Sequence, residues 1–323
     1  MAGSGTAHLR PGQERALSVE ELVVEFPVSG GTVHAVSGLN IDVLPGETLG
    51  ILGESGCGKS SAGRAVMQLP PPTSGTVRLA DAELTSLRPK QVRRARAKMQ
   101  LIMQDPVSAL NPRRKVKDLV AEGLDIWGLH QADRDVFVDE LLQSVGLEPA
   151  VVRDRRPHEL SGGQCQRVCI ARSLALDPDV LICDEPVSSL DVSVQAQILN
   201  LLERTRERYG LSMIFIAHDV AVVKNISDRV LVMYLGKTCE VLPSADLQAE
   251  ALHPYTRLLL ASVPGADGDA SVMDGELPSP LDPPSGCRFR TRCPLATERC
   301  ATEEPQLREL RPGQFVACHN VEA

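Results

Sequence analysis

Gly53-Glu54-Ser55-Gly56-Cys57-Gly58-Lys59-Ser60 puts glycines, a lysine and a serine into one short stretch, with Ser61 directly after it. Binding a phosphate takes many backbone N–H donors and a positive charge. Gly56 and Gly58 let the chain wrap closely, because they tolerate backbone angles that other residues avoid. The N–H groups and a helix beginning near Ser60 then face the phosphates. Lys59 is expected to reach the β- and γ-phosphates, and the Ser60 hydroxyl to ligate Mg²⁺. Val180-Leu181-Ile182-Cys183-Asp184-Glu185 delivers two carboxylates at the end of an apolar run. Asp184 suits Mg²⁺ held through water, and Glu185 suits a base that orients or deprotonates an attacking water. Alone, such a pair reads as ordinary strand-end surface; beside a glycine loop it reads as chemistry. His218 follows Phe215-Ile216-Ala217 and suits a γ-phosphate hydrogen bond. The Gln104 amide suits a sensor of Mg²⁺ or water. Ser161-Gly162-Gly163-Gln164 offers a second cradle, with Ser161 as N-cap and the helix dipole behind it. One chain cannot easily aim both cradles at one nucleotide, so two such domains are expected to face each other.

These groups need elements to hold them. Segments 16–26 and 33–44 read as antiparallel strands around the Ser29-Gly30-Gly31 turn. Segment 48–52 reads as a buried strand that feeds the glycine loop, and 61–68 as the helix after it, the context the loop requires. Segment 98–103 reads as a strand ending at Gln104. Helical spacing marks 116–129 and 136–145 as an insertion. The short apolar runs 180–183 and 213–217 read as central parallel strands, with a helix over 194–209 between them. Segment 229–242 returns to β. Residues 264–286, rich in Pro, Gly, Asp and Ser, read as a linker.

The chain has 323 residues and a formal net charge of −8, which argues against a nucleic-acid partner. No stretch is long and apolar enough for a membrane helix. Residues 1–15 lack the apolar centre of a signal peptide and read as a disordered lead-in. Aromatics make up 3% of the chain, so the core is expected to be Leu, Val, Ile and Ala. The basic stretch 88–98, with Arg113, Arg114 and Lys115, reads as a solvated face. The expected compartment is the cytosol, where thiols stay reduced.

Taken in order, 53–60, Gln104, Leu160–Gln164, 180–185, 188–191 and His218 resemble the ATP-binding subunits of ABC transporters over residues 18–262. The resemblance implies an α/β, ABC-type P-loop ATPase domain with a RecA-like core, an antiparallel β subdomain and a helical subdomain at about 113–172, spanning 16–262. A linker over 263–286 and a small cysteine-rich extension over 287–323 follow. It implies that Ser161, Gly162 and Gly163 touch the γ-phosphate held by an opposing subunit. Asp191 would lie across the dimer interface, and Gln104 would couple the site to a membrane partner. The strings Gln104-Asp105-Pro106, Ser108-Ala109-Leu110-Asn111-Pro112, Asp184-Glu185-Pro186-Val187-Ser188, Ser193-Val194-Gln195-Ala196-Gln197 and His253-Pro254-Tyr255-Thr256 resemble the dipeptide and oligopeptide importer branch. Gln164-Cys165-Gln166-Arg167 resembles the second of its two unequal ATPases. The resemblance thus implies ATP and Mg²⁺ as cofactors, and a second ATPase subunit, two transmembrane permeases and an extracytoplasmic peptide-binding protein as partners. It places the chain on the cytoplasmic face of the cell membrane. Nickel or glutathione importers share the branch, and soluble ABC ATPases are the other alternative. Ser189 stands where alanine is usual, and no aromatic residue is well placed to stack on adenine.

Of nine cysteines, Cys287, Cys293, Cys300 and Cys318 gather in the tail. In the cytosol such a group reads as a metal site or as free thiols. The paired spacing of a zinc knuckle is lacking, and His319 is a spare ligand. The resemblance implies a [4Fe–4S] cluster on these four residues. Cys57, Cys165, Cys169, Cys183 and Cys239 are expected to fill small buried positions.

Overall fold

The computed structural model describes residues 5–129, 133–262 and 276–322. The chain divides into two compact units, Met1–Val92 with Ile214–Ala323, and Arg93–Met213. In chain order the strands of the described residues are β1 (Leu17–Val28), β2 (Gly31–Val43), β3 (Thr48–Leu52), β4 (Ser74–Leu79), β5 (Ala82–Glu83), β6 (Met99–Ile102), β7 (Val180–Asp184), β8 (Ser212–Ala217), β9 (Arg229–Tyr234), β10 (Lys237–Pro243), β11 (Arg308–Arg311) and β12 (Gln314–Val316).

The first unit holds an antiparallel sheet in the order β2-β1-β4-β5 and a second sheet in which β11-β12-β10-β9-β3-β8 run side by side. β3 and β9 pair in parallel, Leu49 opposite Arg229 and Leu52 opposite Val232. Every residue of β3 and of β8 is buried, which is why both read as unbroken apolar runs rather than alternating ones. β4 and β5 were not anticipated: Ser74–Leu79 mixes a glycine, a serine and an arginine into its few positions and has no clear period.

The expected disordered lead-in is corrected for residues 5–15. His8 is 2% exposed, with Nε2 3.0 Å from Asn40 O. Arg10 reaches Asp42 at 2.9 Å and Glu47 at 2.6 Å. Arg229 meets the same two carboxylates at 3.1 and 3.2 Å. Polar anchors fasten this segment, and sequence composition does not announce them.

The tail is part of the first unit. β12 adds antiparallel to β10, Glu240 opposite Val316, and β11 adds to β12. Leu252, Val316, Cys318 and Val321 form a small apolar cluster. Of the expected linker, 263–275 lies outside the described residues. Its remainder runs beside β2, where the His34 N–H donates to Pro280 O at 2.9 Å.

In the second unit β6 and β7 pair in parallel, from Met99 opposite Val180 to Ile102 opposite Cys183. The helix Gly162–Leu174 buries Cys165, Val168, Cys169 and Ile170 and packs against the helices Val116–Val120 and Arg134–Ser144. One helix was expected over 116–129; two occur, Val116–Val120 and Glu122–Trp127, and the second ends on Gly128 in the left-handed region.

Candidate functional site

In the first unit β3 ends at Leu52 and the glycine loop begins. The helix Lys59–Val66 starts at its far end, with Gly58 as N-cap at φ 103°. A side chain at Gly58 would collide with Ala35 O, and one at Gly53 with Met233 O, so close approach of other backbone demands glycine at both. Lys59 is 4% exposed; its Nζ lies 2.7 Å from Gly53 O and 2.8 Å from Glu54 O, drawn across the loop. Cys57 points inward at 1% exposure, and burial raises its thiol pKa despite the nearby Lys59. Ser55 and Gly56 are exposed, and Ser60 and Ser61 are half-buried at the helix start. The loop therefore presents backbone N–H groups, a lysine and a hydroxyl at one helix N-terminus.

His218 is exposed immediately after β8. Its neighbour Asp219 caps the helix Val220–Ile226, accepting from the Val222 N–H at 3.1 Å. That cap, missed from sequence, explains Asp219 without any role in chemistry.

In the second unit the parallel register of β6 and β7 brings their C-terminal ends to one edge. Gln104 Nε2 donates to Glu185 Oε2 at 3.1 Å. Asp184 is 3% exposed and Glu185 9%. Glu185 sits at φ 46°, a left-handed conformation that costs a non-glycine residue about 1 kcal/mol and clusters at functional positions. Burial, then the neighbouring Asp184, pushes the Cys183 thiol up to about 12, so it stays an inert filler of the strand.

Ser161 caps the helix Gly162–Leu174. Its hydroxyl accepts from the Gln164 N–H at 3.3 Å, while the Gln164 side chain accepts from the Ser161 N–H at 3.0 Å. Ser161 and Gly162 are exposed, so the helix N-terminus faces outward. A side chain at Gly163 would meet Val194 Cγ1 at 2.7 Å. This glycine therefore has a packing reason as well as the expected one. Asp191 is exposed at the start of the helix Val192–Tyr209, and Val192 after it is 81% exposed. The acid pair, Gln104, the capped serine and Asp191 all belong to this second unit.

Sequence reasoning missed the supports of the glycine loop. The Glu54 N–H donates to the Tyr255 hydroxyl at 2.9 Å, and Arg292 pairs with the Glu54 carboxylate at 2.9 Å. Tyr255 opens a helix capped by His253, whose Nδ1 accepts from the Tyr255 N–H at 3.1 Å. Burial holds His253 neutral, with its pKa lowered to about 4. A signal was there to find: a proline directly after a residue that can cap favours the first turn of a helix.

The tail cysteines were expected to ligate metal. Among the described residues no group of three or more His, Cys, Asp or Glu is arranged to hold a metal ion. The arrangement of these side chains therefore gives the expected [4Fe–4S] cluster no support of its own. The thiols are nevertheless neighbours: burial and then Cys300, Cys293 and Cys318 raise the Cys287 pKa to about 11. Cys293 is likewise raised by burial and by Cys318 and Cys300. At Cys300 burial is outweighed by hydrogen bonds from Thr297 and Asn320, and the pKa falls.

Comparison with known proteins follows this geometry. Residues 36–188 match the family model described as ABC transporter. Residues 239–300 match the one described as oligopeptide/dipeptide transporter, C-terminal region. The chain is 48% identical to the putative oligopeptide transport ATP-binding protein YkfD of Bacillus subtilis, over 94% of each chain. It is 46% identical to the oligopeptide transport ATP-binding protein OppF of Escherichia coli, over 92% of this chain and 93% of that one. Among solved structures it resembles the ATP-binding cassette MJ0796, a dimer in a post-hydrolysis state with ADP and Pi. The TM-score is 0.65 and the identity 25%, over 71% of this chain and 98% of that one.

Proposed function

The chain belongs to the ATP-binding subunits of the oligopeptide and dipeptide ABC transporters, and from that premise we propose that its two sets of residues serve one reaction, hydrolysis of ATP coupled to peptide import. The function is that of an ATPase subunit of a peptide importer. The observation that carries the catalytic reading is the Gln104–Glu185 hydrogen bond at the end of β7. It holds an intact carboxylate at a strand edge beside a buried aspartate.

The glycine loop 53–60 and Ser61 bind the phosphates through backbone N–H groups, and Lys59 leaves its loop carbonyls to neutralise the β- and γ-oxygens. Ser60, Asp184 and, through its amide, Gln104 are the residues that fit Mg²⁺, which supplies charge neutralisation at the transferred phosphoryl group when bound. Glu185 takes the proton of, or orients, the attacking water, and His218 hydrogen-bonds the γ-phosphate. Ser161, Gly162, Gly163 and Gln164 serve the nucleotide of a second subunit, and Asp191 lies at that interface. Their outward-facing, capped helix start supports this, as does the dimeric state of the similar cassette.

The second subunit is a different ATPase, and two permeases and a peptide-binding protein complete the importer. No helix among the described residues is long and apolar enough to cross a membrane. In this reading the chain works at the cytoplasmic face of the cell membrane, held there by its permeases. Cys287, Cys293, Cys300 and Cys318 hold a [4Fe–4S] cluster. In support, Cys300, Cys293 and Cys318 all act electrostatically on Cys287, Cys318 and Cys300 act on Cys293, and Cys300 acts on Cys318; a cluster takes one thiolate at each iron rather than several at one ion. Anaerobic preparation should yield about four irons per chain; stoichiometric zinc or no metal refutes the cluster alone.

The assembly reading is tested by ATP turnover of the isolated chain against turnover of the co-purified complex. The isolated chain should be slow and the complex fast. Full turnover by a strictly monomeric preparation refutes it.

A further inference from the structure

A short stretch of the tail, from Cys287 to Cys293, reaches the phosphate loop by two routes. Arg292 Nη1 lies 2.9 Å from Glu54 Oε2, and the pair is shielded, with side chains 7% and 20% exposed. The same guanidinium stands 5.7 Å from the centre of the Tyr234 ring. Tyr234, Tyr255 and Phe289 pack edge to face or tilted, at 4.7, 5.1 and 5.3 Å between centroids. The Tyr255 hydroxyl in turn accepts the Glu54 N–H. The second residue of the loop is thus fixed at its backbone and its side chain by groups far away in sequence. On the other route, Arg288 Nη2 donates to Ser37 Oγ at 2.8 Å and Nη1 to Leu235 O. The next residue, Gly236, donates its N–H to Cys57 O at 2.8 Å.

A carboxylate in the second position of a phosphate cradle is a liability. Unneutralised, it repels the polyphosphate, and the shielding that strengthens the ion pair would strengthen that repulsion too. Arg292 removes the charge and fixes where the carboxylate sits. We propose that residues 287–293 form a clamp on the phosphate loop, with Arg292 and Arg288 as positioning residues for nucleotide binding. The proposal rests on reading residues 53–60 as the phosphate cradle. It gives the tail a task in the ATP site itself, whatever its thiols hold.

The test is the ATP dissociation constant of the full chain, read with a fluorescent nucleotide, in a mutant cycle. Arg292→Ala should weaken ATP binding about tenfold, the equivalent of about 1.4 kcal/mol. In a Glu54→Gln background the same change should cost less than about threefold, because the charge it neutralises is gone. Arg292→Lys, which keeps the charge, should stay within about threefold of the parent and guards against misfolding of the alanine variant. Equal losses in both backgrounds would make Arg292 a general fastening of the tail and overturn the clamp. Parental affinity in folded Arg292→Ala would also overturn it, and would leave the cradle reading standing if Lys59→Ala in parallel loses ATP. Parental affinity in Lys59→Ala would overturn both.

Discussion

Replacing Glu185 with glutamine separates chemistry from architecture. The residue is 9% exposed and sits at φ 46°. Glutamine bears the same backbone penalty there, so the strand-end geometry is kept. The contact with Gln104 at 3.1 Å changes from an amide donating to a charged oxygen into one donating to a neutral oxygen. Charged acceptors are worth about 1 kcal/mol more than neutral ones, which sets the upper limit on lost stability. The phosphate cradle works through the backbone N–H groups of its own loop and through Lys59, whose Nζ rests on Gly53 O and Glu54 O. ATP affinity should therefore move less than about fivefold. Removal of a general base costs about 10²–10⁴ in rate, so turnover of the assembled complex should fall by at least about a hundredfold. The assay is phosphate release at saturating ATP, beside nucleotide binding and thermal unfolding of the same preparation. Turnover at the parental rate would refute the role of Glu185. A parallel collapse of ATP binding would refute the claim that binding and base are separable.

Gly58→Ala should weaken ATP binding by about tenfold or more, because it adds a collision with Ala35 O to a φ of 103°; unchanged binding by titration would show that the loop yields freely. Ser161→Arg should leave the chain's own ATP binding intact and slow the partner's turnover in a mixed complex, read by trapping nucleotide on each subunit; loss at its own site instead would contradict the two-subunit arrangement. His8 and His253 are buried with pKa values of about 4, so protonation favours the unfolded chain. Their contribution is complete above the ordinary histidine pKa and is lost as pH falls towards 4, amounting to about 2 kcal/mol each near about pH 5. Unfolding midpoints across that range should fall, and His8→Asn should flatten the fall; a flat parental profile would refute the burial argument.

What could be read from the chain, and what could not, follows from range. Thr48–Leu52, Val180–Asp184 and Ser212–Ala217 were legible because strands buried on both faces are continuous apolar runs. Ser161 was legible as a cap because its partner Gln164 is three residues away. The adjacency of Gln104 and Glu185 could be inferred from parallel strands ending at one edge. Nothing local announced that Arg292 meets Glu54, since the two lie 238 positions apart and neither belongs to a periodic pattern. The segment 5–15 looked featureless for the same reason: it is held by His8 and Arg10 rather than by an apolar stripe. The split of the helix at Ala121 also escaped, because apolar spacing continues across it.

The central claim, that this chain spends ATP to import peptides, meets its most direct test in sealed vesicles. The chain would be co-purified with its partner ATPase and permeases, reconstituted with the peptide-binding protein outside and ATP within the space facing the ATPases. Labelled oligopeptide should accumulate in that space only with hydrolysable ATP, and the Glu185→Gln complex should not accumulate it. ATP hydrolysis without peptide uptake, or uptake confined to nickel or glutathione under the same conditions, would contradict the account.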